Sequence, residues 1–240
     1  MKSTNKEFFT GIMLLAFLII TSCNVIGERG SGNVIRSERK VPSFNAIDVS
    51  GAFDVTLAQG TSQSVIIEAD DNLMDLIRTE VRGNTLVIET KKPIFHSKSL
   101  KVFLTFTDLK SIDISGAVDI QSQGKLNLAD LSFSGSGASD TKLDLGVQKL
   151  SVDCSGGSKL RLSGSAKDVV VDVSGAVDLF AFDMPAETYT ISISGAGKAE
   201  ISVSKSLNVD ISGAATVHYK GNPEKNIQDI SGAGTVKKVD

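Results

Sequence analysis

Five aspartates, Asp113, Asp153, Asp172, Asp210 and Asp229, each stand two residues before a Ser-Gly pair, and Ser132 and Ser192 take that place in two further copies. Stacked as neighbouring strands, these carboxylates would lie about 4.8 Å apart and form a ladder. Such a row could do two kinds of chemistry. Calcium needs six to eight converging oxygens, and a line interrupted by serines supplies no cage, so no metal ligand is assigned. The glycine-aspartate nonapeptide of calcium β-rolls is also missing. Glycoside cleavage needs two carboxyls about 5–10 Å apart beside a groove, a spacing the ladder could meet. The usual companions are lacking: there is no tryptophan, the tyrosines are only Tyr189 and Tyr219, and the phenylalanines fall at strand positions expected in the core. Solvated like charges at that spacing repel by less than about 1 kcal/mol, which an exposed surface tolerates without a cation.

Other catalytic constellations are equally thin. His96 and His218 lie far apart and outside any His-x-x-x-His spacing, so both read as solvated. Ser-Gly-Ala-Gly at 194–197 is a repeat step and neither a nucleophile elbow nor a phosphate loop. No catalytic, cofactor-binding or metal residue is therefore expected.

The two cysteines have different chemistry. Lys2 and Lys6 precede an apolar run from Phe8 to Ile20, and Ile20-Thr21-Ser22-Cys23 then resembles a bacterial lipobox. Cleavage before Cys23 would leave its thiol to carry the lipid, with each buried methylene adding about 0.8 kcal/mol of membrane affinity. Cys154, between Val152 and Gly156, reads as a small buried hydrophobe. With one cysteine committed to lipid, no disulfide framework remains.

The chain of 240 residues has 25 basic and 28 acidic side chains, a formal charge of −3. Loss of residues 1–22 removes Lys2, Lys6 and Glu7 and leaves a charge of −4. A sequence pI near 5.5 with scattered lysines excludes nucleic acid as a partner on electrostatic grounds.

The elements that must carry these residues follow from repetition. A phrase built on Ser-Gly occurs eight times, with its glycines at 51, 116, 135, 156, 175, 195, 213 and 232, and the last seven follow one another at 18–21 residues. Such a period predicts a solenoid. Within each copy apolar residues alternate with polar ones, as in Val169, Val171, Val173, Val177 and Leu179 against Asp172, Ser174 and Asp178, which predicts strands. The recurrent glycine shares the apolar parity and is expected to face inward where the strand turns a corner. The fold class expected is all-β, a parallel β-helix of about seven coils of 18–21 residues with an N-terminal antiparallel β cap. A coil of that length encloses a narrow aliphatic tube with no room for a ligand.

The expected domains are a lipoprotein signal peptide at 1–22, a flexible glycine-rich tether at 23–40, an N-terminal β region or cap at 41–110, and β-helix repeats at 111–240. Segments 64–69, 86–90 and 100–106 read as strands, and Gly83-Asn84 marks a two-residue hairpin turn. Gly51 of the first copy stands 65 positions before Gly116 of the second, and the stretch between the copies reads as an insertion or cap. Lys237 and Lys238 are placed to guard the last strand edge.

The lipobox, Phe-Asn-Ala-Ile-Asp-Val-Ser-Gly-Ala-Phe-Asp-Val at 44–55, Ala-Asp-Asp-Asn-Leu at 69–73 and the recurrent Ile-Ser-Gly-Ala steps together resemble the bacterial "putative auto-transporter adhesin, head GIN domain" family, over about residues 40–230. The resemblance implies a secreted or lipid-anchored β-helical domain of the Gram-negative envelope, and it carries no catalytic residues onto this chain. The expectation is a non-catalytic, outer-membrane, lipid-anchored adhesin-like or scaffold domain whose Ser/Asp faces meet a glycan or an envelope protein. The alternative is a carbohydrate-active β-helix enzyme, a polysaccharide lyase or hydrolase.

Overall fold

The structure is a computed structural model and describes residues 27–240. Cys23 and the apolar run before it lie outside the described residues. In chain order the strands are β1 (Glu28–Arg29), β2 (Val34–Glu38), β3 (Ala46–Gly51), β4 (Asp54–Gln59) and β5 (Ser64–Asp70). After the short 3-10 turn Asp71–Leu76 come β6 (Ile77–Arg82), β7 (Thr85–Thr90), β8 (Ile94–His96), β9 (Leu100–Phe106), β10 (Ser111–Gly116), β11 (Asp119–Ser122) and β12 (Leu126–Asn127). The chain then stays extended and paired through β13 (Asp130–Lys220), and closes with β14 (Lys225–Gly232) and β15 (Thr235–Lys238). The fold is all-β and its long sheet is mostly parallel.

Register carries the architecture. β10, β11 and β12 lie in parallel beside successive stretches of β13, with Ile112 opposite Phe133, Gln121 opposite Lys142 and Leu126 opposite Leu145. At the far end β14 and β15 lie on the last stretches of β13, with Ile211 opposite Ile230 and Val217 opposite Val236. Like falls on like. Ile47, Ile112 and Phe133 are fully or almost fully buried in one row, as are Ile114, Cys154, Val173, Ile193 and Ile211 in another.

The glycine column differs from the sequence expectation in two ways. Its members are Gly51, Gly116, Gly137, Gly156, Gly175, Gly195, Gly213 and Gly232, each with positive φ and, after the first, each pressed on the backbone of the glycine before it in the column. Gly137 replaces Gly135. The two Ser-Gly pairs of Ser-Gly-Ser-Gly share one parity, and pairing of Ser115 with Ser136 selects the second. Gly135 is instead buried, where a Cβ would meet Cys154 Sγ at 3.3 Å. The column itself is largely exposed, because the left-handed turn at each glycine lifts the backbone away from the core.

The first copy is no outlier. β3 lies directly beside β10, with Asp48 opposite Asp113 and Gly51 opposite Gly116, and the intervening residues return to pair on its other side. There β7 pairs with β3 in parallel and β6 closes the hairpin around Gly83-Asn84, antiparallel as expected. β9 runs parallel to β4, while β5 and β2 extend that side antiparallel.

Residues 27–40 depart from the tether expectation, because β2 is held in the sheet and Asp70 clasps what precedes it. The fully buried Asp70 carboxylate accepts the backbone N–H of Gly32 at 2.5 Å, of Lys98 at 2.8 Å and of Ser99 at 3.4 Å. Burial alone would raise its pKa, but these donors together hold it below the ordinary carboxylate value. The last lap is equally specific. Where β13 has Leu207, Val209 and Tyr219 facing in, β14 and β15 have Asn226, Gln228 and Lys238. Gln228 donates to Asn226, Asn226 to the Tyr219 hydroxyl, and Lys238 to Asn222.

Two outcomes test this description. Gly175→Ala puts a Cβ 2.6 Å from the Gly156 carbonyl at a φ of 100°, and is expected to lose about 2 kcal/mol or more in urea denaturation. Gly157→Ala meets nothing within 4 Å and is expected to stay within about 0.5 kcal/mol of the parent. Asp70→Asn keeps one acceptor oxygen and is expected to lose about 1–3 kcal/mol, with faster amide exchange at Gly32, Lys98 and Ser99. Because its native pKa is depressed, the clasp's contribution is present above the unfolded carboxylate range and disappears as pH falls through the native value.

Candidate ligand-binding face

Downstream of the glycine column, residues of β9, β4, β11 and β13 form one sheet face whose alternate side chains point outward. One column starts Lys101, Asp54, Asp119, Asp140. The next starts Phe103, Thr56, Gln121, Lys142. Parity positions these side chains. Val177, Leu179 and Ala181 are buried, so Phe180 between the last two and Phe182 just after them face out, half-buried. They are not core residues, as the sequence reading had them, and continuing the alternation from Val169 through Leu179 by three residues would have found them.

Cations cover these rings. The Arg161 guanidinium lies 5.9 Å from the Phe180 centroid and the Lys220 ammonium 4.9 Å from that of Phe182, while Arg36 lies 5.2 Å from Phe103. Arg161 is also bound to the Asp140 carboxylate at 2.5 Å. Lys142, Lys159, Arg161, Phe180, Phe182 and Lys220 line a surface groove of about 560 Å³, to which Asp183 and Glu200 add the opposite charge. Lys142 also borders a second groove of about 420 Å³, with Asp54, Asp119, Gln121, Lys101 and Phe103. The cations outnumber the anions in the first groove on a chain whose net charge is negative. An aromatic floor beneath basic side chains can take a flat or ring-shaped ligand that bears negative charge.

The aspartate ladder sits upstream of the glycines and holds Asp48, Asp113, Ser134, then Asp153 onward. Ser134 takes the place expected for Ser132, and Asp48 joins the row. Burial first, then the Asp113 and Glu89 charges, push the Asp48 carboxyl above its ordinary pKa, with Arg82 opposing. Asp48 and Asp113 line neither groove, whereas Asp54 and Asp119, opposite one another on adjacent rungs, both line the second and are the nearest approach to a glycosidase pair. Among the described residues no group of three or more His, Cys, Asp or Glu could hold a metal ion.

The remaining candidates are dispersed. Cys154 is buried, and desolvation followed by the Asp153 charge pushes its thiol up to about 12, where it is no nucleophile. Tyr189 is buried, its hydroxyl donating to the Met184 carbonyl at 3.1 Å, and burial raises its pKa. His96 is exposed on β8, and His218 stands beside Lys237 at the distal end of the face.

Parallel strands stacked in register, dry inside and charged outside, define an all-β protein built to present extended faces. The chain belongs to the family described as "putative auto-transporter adhesin, head GIN domain", which matches residues 43–223. A putative adhesin from Bacteroides fragilis is 26% identical, with a TM-score of 0.85 over 89% of this chain and 100% of its own. A putative adhesin from Parabacteroides merdae is 23% identical, with a TM-score of 0.70 over 89% and 99%. A protein from Parabacteroides distasonis described as a putative lipid binding protein is 21% identical, with a TM-score of 0.68 over 90% and 100%. These last two show a common fold. No curated protein matches the chain.

Neutralising Asp48 offers a check on the ladder. Its raised native pKa means that ionisation weakens the fold above that value, and the penalty vanishes below the unfolded pKa. Asp48→Asn is expected to raise the melting temperature at pH 7, by less than about 1 kcal/mol of stability, and to leave it unchanged near pH 3. Differential scanning calorimetry at the two pH values measures this.

Proposed function

We propose that this chain is a non-catalytic, lipid-anchored adhesin-like domain of the Gram-negative envelope, held in the outer membrane through Cys23. Its chain winds as a parallel β-helix of about seven coils, with the antiparallel strands of its N-terminal half closing one end. The repeated in-register pairing and the glycine column support this winding. The observation that carries the functional reading is the groove in which Arg161 and Lys220 overlie Phe180 and Phe182.

That groove suits a glycan bearing carboxylates. Aromatic faces accept the apolar side of a sugar ring, while lysine and arginine pair with acid groups. Successive rungs of about 4.8 Å would let a linear polymer lie along the columns. Family membership and the fold shared with adhesins agree with a surface-binding role rather than turnover.

The expected outcome is saturable binding of polygalacturonate but not of dextran by the full chain in biolayer interferometry. Arg161→Ala and Phe180→Ser are each expected to weaken it about tenfold while circular dichroism stays unchanged. Equal binding by both variants would displace the site. Release of unsaturated or reducing ends would replace the non-catalytic reading with that of a polysaccharide lyase or hydrolase.

A further inference from the structure

The two-stranded sheet at the start of the described chain takes no part in the ligand face. β1 lies parallel to β8, with Glu28 beside Ile94 and Arg29 beside His96. Glu28 N–H donates to the Pro93 carbonyl at 2.9 Å and Gly30 N–H to that of His96 at 2.7 Å. Gly27 rests against the ring of Phe95, so closely that a Cβ there would come within 2.6 Å of it. The chain therefore enters the fold beside Phe95, and the Asp70 clasp fixes that entry.

Phe95 is 52% exposed, the most exposed large hydrophobic residue among the described residues. Lys91, Lys92 and Lys98, within four residues of it in sequence, are exposed; His96 and, opposite it, Arg29 are exposed too, with the strand parity opposite to that of Phe95. Glu28 offsets one of these charges, lying 3.3 Å from Lys92. An isolated apolar ring gains nothing from water, and its basic surroundings disfavour a second apolar protein surface. They favour an interface that is negatively charged and apolar just beneath, which is the profile of a bilayer with anionic headgroups.

Chain length supplies the occupant. Only four residue steps separate Cys23 from Gly27, and four steps span at most about 14 Å when fully extended. A diacylglycerol on Cys23 would therefore hold Gly27, and with it Phe95, within reach of the headgroups. We infer that Phe95, with Lys91, Lys92 and Lys98, is a membrane-contact surface for anionic lipid that sets the domain's orientation on the bilayer. This inference rests on the lipid-anchored reading. It replaces a loosely tethered domain with one seated on the membrane by its β1–β8 edge.

The chain has no tryptophan, so a single introduced indole reports its own surroundings. Full-length Phe95→Trp, matured in a bacterial host, would be reconstituted into phosphatidylethanolamine–phosphatidylglycerol vesicles with brominated acyl chains, beside Phe180→Trp. Intact mass spectrometry reads the lipid on Cys23. The expected result is an acylated chain in which the indole at 95 is blue-shifted and quenched at least twofold, and that at 180 is not. Acylated protein with an unquenched indole at 95 overturns the membrane contact while leaving the anchor standing, and points to a protein occupant for the patch. Absence of the acyl mass removes the anchor and this inference with it.

Discussion

A strand laid in parallel on an earlier course of its own chain must accept, at every rung, whatever side chain that course presents. The whole structure depends on this requirement. It places isoleucine, valine and leucine over one another inside, so the core is a set of short aliphatic rows instead of a three-dimensional jigsaw. It also explains the glycine column, since at each member after the first a Cβ would strike the backbone of the glycine one course earlier. Removing side chains from the whole column lets the courses approach to hydrogen-bonding distance and turn together. One wrong residue there is felt by the courses above and below it.

The same constraint organises the exterior, where outward residues become columns whether or not function needs them. Repeated identity is electrostatically unfavourable: burial does most to raise the Asp48 pKa, and the Asp113 charge beside it raises it further. Ser134 and Ser192 divide the carboxylate row. On the face that bears the grooves the chain uses the rungs differently, pairing Arg161 with Asp140 on one side and with the Phe180 ring on the other. The face therefore combines compensated charge with aromatic surface, and the repeat makes such a combination easy to vary from one rung to the next.

Much of this was legible in the residues. The period of Ser-Gly pairs, the alternation of valine with aspartate, and Gly83-Asn84 between two β segments led to stacked strands and to the β6–β7 hairpin. What escaped was information that local pattern does not contain. Ser-Gly-Ser-Gly at 134–137 offers two registers of equal parity, and only pairing with β10 chooses between them. The glycine-rich stretch after Cys23 looks like a linker because Asp70, which orders it, lies some forty residues away. Phe180 and Phe182 escape because residue type alone places strand aromatics in the core, although the alternation turns them outward.

The polar last strands, β14 and β15, bear on how such molecules meet end to end. A stack of identical courses has no intrinsic stopping point, and a bare aliphatic end would accept the corresponding end of a neighbour and grow into a fibre. Asn226, Gln228 and Lys238 occupy the rows where another course would need leucine, valine or tyrosine, and they bond to one another and to residues of the same molecule. The apolar surface that the tip offers a neighbouring molecule is thereby cut at three rows, while Ile230 and Val236 carry theirs to the end.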